Sequence, residues 1–322
     1  MKSNKYEIDM CNGSIMDKLV SFALPLMLSG ILQLMFNAVD IIVVGRFSGS
    51  EALAAVGSTT ALINVFTNLF IGISLGANVL AARFFAAGRK EEMSETVHTS
   101  ITLALISGIL MAFVGLVFSK GALELMGTPE DVIGLSTLYM RIYFMGMPFF
   151  MLYNYGAAIL RAVGDTKRPL YFLIIAGVIN AGLNMVLVIV FGLGVAGVGI
   201  ATVFSQMVSC VLVLTCLCRT EGSYKLSFSK LSMKGYYLKQ IFQVGIPAGI
   251  QSTVINFSNA LLQSSVNSFG STAMAGYTAA NNILGFLYVS INSVTQACMS
   301  FTSQNFGVGK YKRMDRVLID CM

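Results

Sequence analysis

Eight apolar runs follow one another between residues 19 and 306, and they leave this chain little choice but to fold as a bundle of membrane-crossing helices. Each run holds about 20 residues or more, enough to cross a hydrocarbon core of about 30 Å. Inside that core every backbone N–H and C=O must find its partner within the chain, so only helices and closed barrels can span it. Barrel strands are shorter and alternate in polarity, whereas these runs are continuous. The expected spans are 19–44, 54–82, 98–119, 136–160, 169–191, 195–218, 240–266 and 277–306. Composition agrees: 11% of the residues are charged and the mean hydropathy is +0.76, against roughly 25% charged residues in soluble domains. The first run is too long for a signal peptide and lacks a small-residue cleavage site. Six cysteines (Cys11, Cys210, Cys216, Cys218, Cys298, Cys321) form no C-x-x-C pair and read as small buried hydrophobes.

A net charge of +6 invites a nucleic-acid reading, but the positions of the charges exclude it. When successive loops alternate sides, 18 of the 21 Lys and Arg residues fall on the side that carries the N-terminus, and only Arg46, Lys120 and Arg141 on the other. Basic residues are retained in the cytoplasm during insertion, which places the N-terminus there. The basic linker 219–239 lies on the same side, within reach of anionic lipid headgroups.

The chain also repeats itself. Phe22-Ala-Leu-Pro25 corresponds to Val244-Gly-Ile-Pro247, and Asn37 to Asn259, at an offset of 222. Phe47-Ser-Gly49-Ser-Glu-Ala52-Leu-Ala54 corresponds to Phe269-Gly-Ser271-Thr-Ala273-Met-Ala275, and Phe85-Ala-Ala-Gly88-Arg89 to Phe306-Gly-Val-Gly309-Lys310, at an offset near 221. A register kept over so long a stretch implies two similar halves. Six spans, an even number, separate their starts, so the halves run parallel. The expected organisation is a six-helix bundle over 1–218, the basic linker 219–239, and from 240 to 322 the start of a second bundle. The repeat pattern implies a continuation beyond residue 322, toward about twelve helices in all.

Asp40, in Asn37-Ala-Val-Asp40-Ile-Ile-Val-Val, is the one acid well inside an apolar run. A charge near the bilayer centre costs at least about 2.5–3.5 kcal/mol and persists where it faces protein or a water-filled cavity. Desolvation disfavours the charged carboxylate, so such a group can take up and release a proton. It can equally bind Na⁺ if neutral oxygens complete the shell. Those oxygens are at hand: Asn37 and Gln33 in the first span, Asn180 and Asn184 at i, i+4 in the fifth, Thr202 and Gln206 in the sixth. Each of them also suits interhelical packing. Gln33, Asn37, Asn154 and Gln206 are candidates for a cavity wall.

Other signals carry less. Gly192-Leu-Gly194-Val-Ala-Gly197 satisfies G-x-G-x-x-G but follows a long apolar run, and reads as the tight turn between two spans. Gly72/Gly76 and Gly245/Gly249 read as close helix packing. Pro25, Pro148 and Pro247 lie in or near the ends of spans, where they can bend helices. His98, the only histidine, opens a span. No Walker A, H-E-x-x-H or G-x-S-x-G sequence occurs, so neither ATP hydrolysis nor intramembrane hydrolysis has visible machinery, and the chain reads as no enzyme.

Taken together, Asn37-Ala-Val-Asp40 with Val44-Gly45-Arg46-Phe-Ser-Gly49, Leu160-Arg161-Ala-Val-Gly164-Asp165-Thr166-Lys167-Arg-Pro169, and Asn180…Asn184…Gly192-Leu-Gly194-Val-Ala-Gly197 resemble the multidrug and toxic compound extrusion (MATE) transporters over essentially the whole chain. The resemblance implies two six-helix bundles around a cavity that opens alternately to either side of a bacterial-type inner membrane. It also implies a monomeric antiporter that exports small organic, usually cationic compounds against H⁺ or Na⁺, with no cofactor beyond the coupling ion. The family's cation site maps onto Asp40, Asn180, Asn184 and Thr202, with Asp40 as the Na⁺ ligand. Many relatives carry a second acid where this chain has Asn184, so Asp40 is the sole carboxylate. The alternative within the superfamily is a flippase of lipid-linked precursors, which needs cationic residues in its cavity.

Overall fold

A computed structural model describes residues 6–267 and 271–322, and every regular element among them is helical. In chain order these are α1 (Ile15–Phe47), α2 (Gly49–Ala86), α3 (Lys90–Leu125), α4 (Glu130–Met145), α5 (Met147–Ala162), α6 (Lys167–Asn184), a π-helical turn (Met185–Val190), α7 (Gly194–Arg219), a 3₁₀ turn (Phe228–Lys230), α8 (Gly235–Asn267), α9 (Ser271–Gly307) and α10 (Tyr311–Cys321). Seven of the eight expected spans are present as long helical stretches; six extend beyond their apolar runs at both ends, and the fifth ends at Val190, one residue short. The fourth is broken. α4 stops at Met145 and α5 starts at Met147, with Pro148 in its first turn, because proline supplies no N–H to the preceding turn. The broken piece rests on α3: a Cβ on Gly108 would lie 2.5 Å from the Pro148 Cα. Among the described residues, five segments are long and apolar enough to cross a membrane as single units: α1, α2, α3, α6 with its π turn, and α7. α4 and α5 are each too short alone, and α8 is diluted by polar residues such as Gln251, Ser252 and Thr253.

Glycines set the closest helix approach. Gly72 and Gly76 of α2 face Gly249 and Gly245 of α8, so the two pairs expected to mediate packing do so against each other. A Cβ on Gly245 would sit 2.5 Å from the Ile73 Cα, and one on Gly249 would sit 2.7 Å from the Leu69 carbonyl oxygen. Small residues let backbones meet where lipid offers no hydrophobic driving force. α2 and α9, corresponding helices under the 221 offset, also meet. Ser300 Oγ donates to Asn78 Oδ1 at 3.1 Å, and Ser300 lies one residue from the position the offset assigns to Asn78. The repeat motif at Phe269-Gly270 lies outside the described residues, as do Lys2 and Lys5.

The loops between alternate helices gather on one face. The segment before α1 reaches Gln304 and Lys310, the Arg83 guanidinium stacks on Phe306, Lys234 pairs with Glu95 at 2.6 Å, and Phe85 packs on Tyr224. These are the loops that hold most of the basic residues. We call this side the N-terminal face.

Candidate functional site

The site begins with the approach of α1 to α6. Gly177 has no side chain, and the Phe36 ring lies directly on its backbone. One turn further along α1 this contact brings Asp40, 8% exposed, against the C-terminal end of α6. Asn184 Nδ2 donates to Asp40 Oδ1, and the same amide donates to Asn180 Oδ1 at 3.2 Å. Asn180 and Asn184 are one turn apart and share a face, and both are buried. Directly after Asn184 the helix changes to its π-helical turn, Met185–Val190, a feature frequent at functional sites. Thr202 of α7 completes the cluster. Its hydroxyl donates to the Val198 carbonyl at 2.9 Å and also lies within reach of the Asp40 carboxylate. The four residues expected to form a cation site therefore meet, although they come from three helices.

Two amide oxygens here are buried without a protein partner: Asn184 Oδ1 and Gln206 Oε1. An unpartnered buried carbonyl costs about 1–3 kcal/mol, so both are poised to accept from water, a ligand or a cation. Among the described residues no cluster of three His, Cys, Asp or Glu side chains could hold a metal. What is assembled is one carboxylate with neutral oxygens, a donor set suited to a hard monovalent cation or a proton.

Asp40, Asn180 and Thr202 open onto a cavity of about 290 Å³. Gln33 and Asn37 from α1 and Gln206 from α7 also line it, as expected. Asn154 does not: its amide turns back to the Phe150 carbonyl of its own helix at 2.8 Å, so this residue is withdrawn from the wall. The sequence reading missed several wall residues. Tyr139 and Tyr143 of α4, Phe150 and Tyr153 of α5, and Asn64, Thr67 and Asn68 of α2 contribute to the lining. The spacing of Asn64 and Asn68, one turn apart, was a readable signal. No Lys, Arg or His is among the described lining residues. Leu262, the counterpart of Asp40 at the 222 offset, is 55% exposed on α8 and takes no part.

His98 is 2% exposed. Its Nδ1 lies 2.7 Å from the Ser94 carbonyl oxygen, and its Nε2 accepts from the Ser227 N–H at 3.1 Å. The ring pins the linker to α3, well away from the cavity.

Comparisons with known proteins agree with this architecture. The chain is 34% identical over 306 residues to the "Probable multidrug resistance protein YoeA" of Bacillus subtilis, covering 92% of this chain and 66% of that protein. It is 29% identical over 309 residues to the "Probable multidrug resistance protein YpnP" of the same organism, covering 95% and 68%. It therefore spans about two thirds of the length of these relatives. A solved structure described as the outward-facing conformation of a multidrug resistance MATE family transporter of the MOP superfamily superimposes with a TM-score of 0.92 at 24% identity, over 100% of this chain and 71% of that one; this likeness shows the fold. The sequence profile of the MatE family matches residues 25–186 and 247–322, well over half of the chain. On these matches and on its apolar helices, the chain is a multi-pass membrane protein that belongs to the MatE family.

Proposed function

We propose that the protein containing this chain is a secondary antiporter, which exports organic, cationic compounds in exchange for H⁺ or Na⁺ by alternating access. The observation that carries this reading is the Asp40 cluster: a buried carboxylate with an amide donor from Asn184, open to a cavity lined with amides and tyrosines. Names of relatives that refer to multidrug resistance support the cargo class.

Asp40 is the exchange point in this scheme. Proton uptake or Na⁺ binding neutralises it, using Asn180, Asn184 and Thr202 as neutral oxygen ligands. Neutralisation removes the attraction for a cationic cargo in the same cavity and changes the contact between α1 and α6. Pro25 lies inside α1, where the missing N–H weakens one turn and gives the helix a place to bend. The N-terminus and the N-terminal face are cytoplasmic in this reading, from the distribution of basic residues. The first six spans form one bundle, and α8 to α10 belong to the second. The transporter acts as a monomer.

The flippase alternative fits less well, because a pyrophosphate-bearing lipid needs cationic partners and the described cavity wall offers none. The deciding experiment loads membrane vesicles with a cationic dye and imposes a proton gradient or a sodium gradient separately. Efflux that follows one gradient identifies the coupling ion, and efflux driven by neither refutes antiport.

A further inference from the structure

The seven residues from Tyr6 to Asn12 cross from one part of the molecule to the other. At one end they hold structure that belongs to α1–α7 and the linker. The Tyr6 ring lies 5.5 Å from the Arg168 guanidinium carbon, and Glu7 Oε1 accepts from the Tyr224 hydroxyl at 2.7 Å. Ile8 lies on the bare backbone of Gly164, where a Cβ would come within 2.6 Å of the Ile8 N and O. Gly164 has φ +93°, so both the turn and the close approach require glycine.

At the other end the same segment holds α9 and α10. The Met10 carbonyl accepts from Asn305 Nδ2 at 3.1 Å and Arg313 Nε at 3.3 Å. The Cys11 carbonyl accepts from Lys310 Nζ at 2.9 Å. Asn12 takes Lys310 Nζ on its side chain at 2.7 Å and Arg313 Nη2 on its carbonyl at 3.1 Å. The Met10 side chain is fully buried in an apolar cluster with Leu19, Phe22, Ala297, Phe301 and Val317.

We propose that residues 6–12 form a clasp that fastens the two halves at the N-terminal face and must release before the cavity opens to that face. The inference rests on the alternating-access reading above. Two features of the contacts support it. On the α9–α10 side the segment is held largely by main-chain carbonyls that accept from charged side chains, bonds that can break and re-form without burying a bare charge. On the other side it is held by Gly164 and by the side chains of Arg168 and Tyr224, both anchored in the first half: Arg168 pairs with the fully buried Asp165, and Tyr224 packs on Phe85. A segment that served only to cover one surface would contact one half.

The test labels Asn68→Cys, a cavity position, with a membrane-impermeant thiol reagent applied from the N-terminal face. It uses the intact transporter in vesicles, with its native cysteines replaced. Tyr224→Phe loosens one end of the clasp, and Lys310→Ala with Arg313→Ala loosens the other. Each is expected to raise the labelling rate about fivefold, and all three together no further than either end alone, because a clasp released at one end no longer bridges. Unchanged labelling, or effects of the two ends that multiply, would overturn the proposal. Tyr224→Phe removes a single hydroxyl, so it reports even if the double alanine variant is poorly made. Coupled efflux measured on the same vesicles separates the two readings: loss of gradient dependence in the parent protein refutes antiport, while the labelling still reports on the clasp.

Discussion

The Asn184 side-chain amide donates both of its protons within the site, one to Asp40 Oδ1 and one to Asn180 Oδ1 at 3.2 Å, while its own Oδ1 faces no protein donor. Asn184 thereby orients the carboxylate and offers a bare oxygen beside it. Replacing it with alanine removes a hydrogen bond to a charged group, worth about 1.5–3 kcal/mol. For Na⁺-driven efflux, where the bare Oδ1 serves as a ligand, Asn184→Ala is expected to raise the Na⁺ concentration for half-maximal efflux at least tenfold, with transport recovered at saturating Na⁺. An unchanged half-maximal concentration would show that Asn184 only packs.

The glycine contact between α2 and α8 predicts a sharp positional contrast. Gly245→Ala drives a methyl group into the Ile73 backbone, and backbone cannot yield as a flexible side chain would, so a loss of about 1–3 kcal/mol is expected. Gly285→Ala in α9 meets nothing within 4 Å and is expected to be neutral or to stabilise by up to about 1 kcal/mol. Thermal unfolding of the two purified variants in detergent checks this.

In the loop between α5 and α6, Asp165 is fully buried and paired with Arg168. Burial pushes the Asp165 carboxyl above its ordinary value, and the Arg168 guanidinium opposes the rise. An acid whose folded value exceeds its unfolded one is most favourable when protonated, and its contribution is lost as pH rises through the interval between the two. Arg168→Ala leaves burial unopposed and widens that interval. The variant is expected to lose about 3–5 kcal/mol near neutral pH and progressively less toward pH 4 in denaturation series.

His98 holds the linker through the Ser227 amide. His98→Ala leaves that amide unpaired, and trypsin is expected to cut at Lys230 several times faster while the remainder of the chain stays resistant. Equal cleavage rates would assign the linker's order to the buried Tyr224 and Leu226.

Much of the site was readable because charge and amide groups are conspicuous in apolar runs. Asp40, Asn180, Asn184 and Thr202 stand out by chemistry, and the i, i+4 spacing placed two of them on one face. Helix rotation was not readable, since a run apolar on all sides carries no moment to say which face turns inward. Asn154 therefore looked equivalent to Gln206, yet it bonds to its own helix, while Tyr139 and Tyr143 passed for ordinary span residues. The break at Gly146 was hidden inside a continuous apolar run, and only Pro148 hinted at it. The segment 6–12 carries no periodic pattern at all, because its bonds are made mainly by backbone carbonyls, which every residue has.

In the proposed scheme ion and cargo exchange at Asp40. Its most direct test is Asp40→Asn in the intact transporter, assayed in vesicles for dye efflux against an imposed proton or sodium gradient. Gradient-driven efflux is expected to be lost and binding of the cationic dye to weaken, since the amide keeps the shape of the carboxylate but carries no charge to attract the dye and none for an ion to neutralise. Gradient-driven efflux at the parent rate would contradict the scheme.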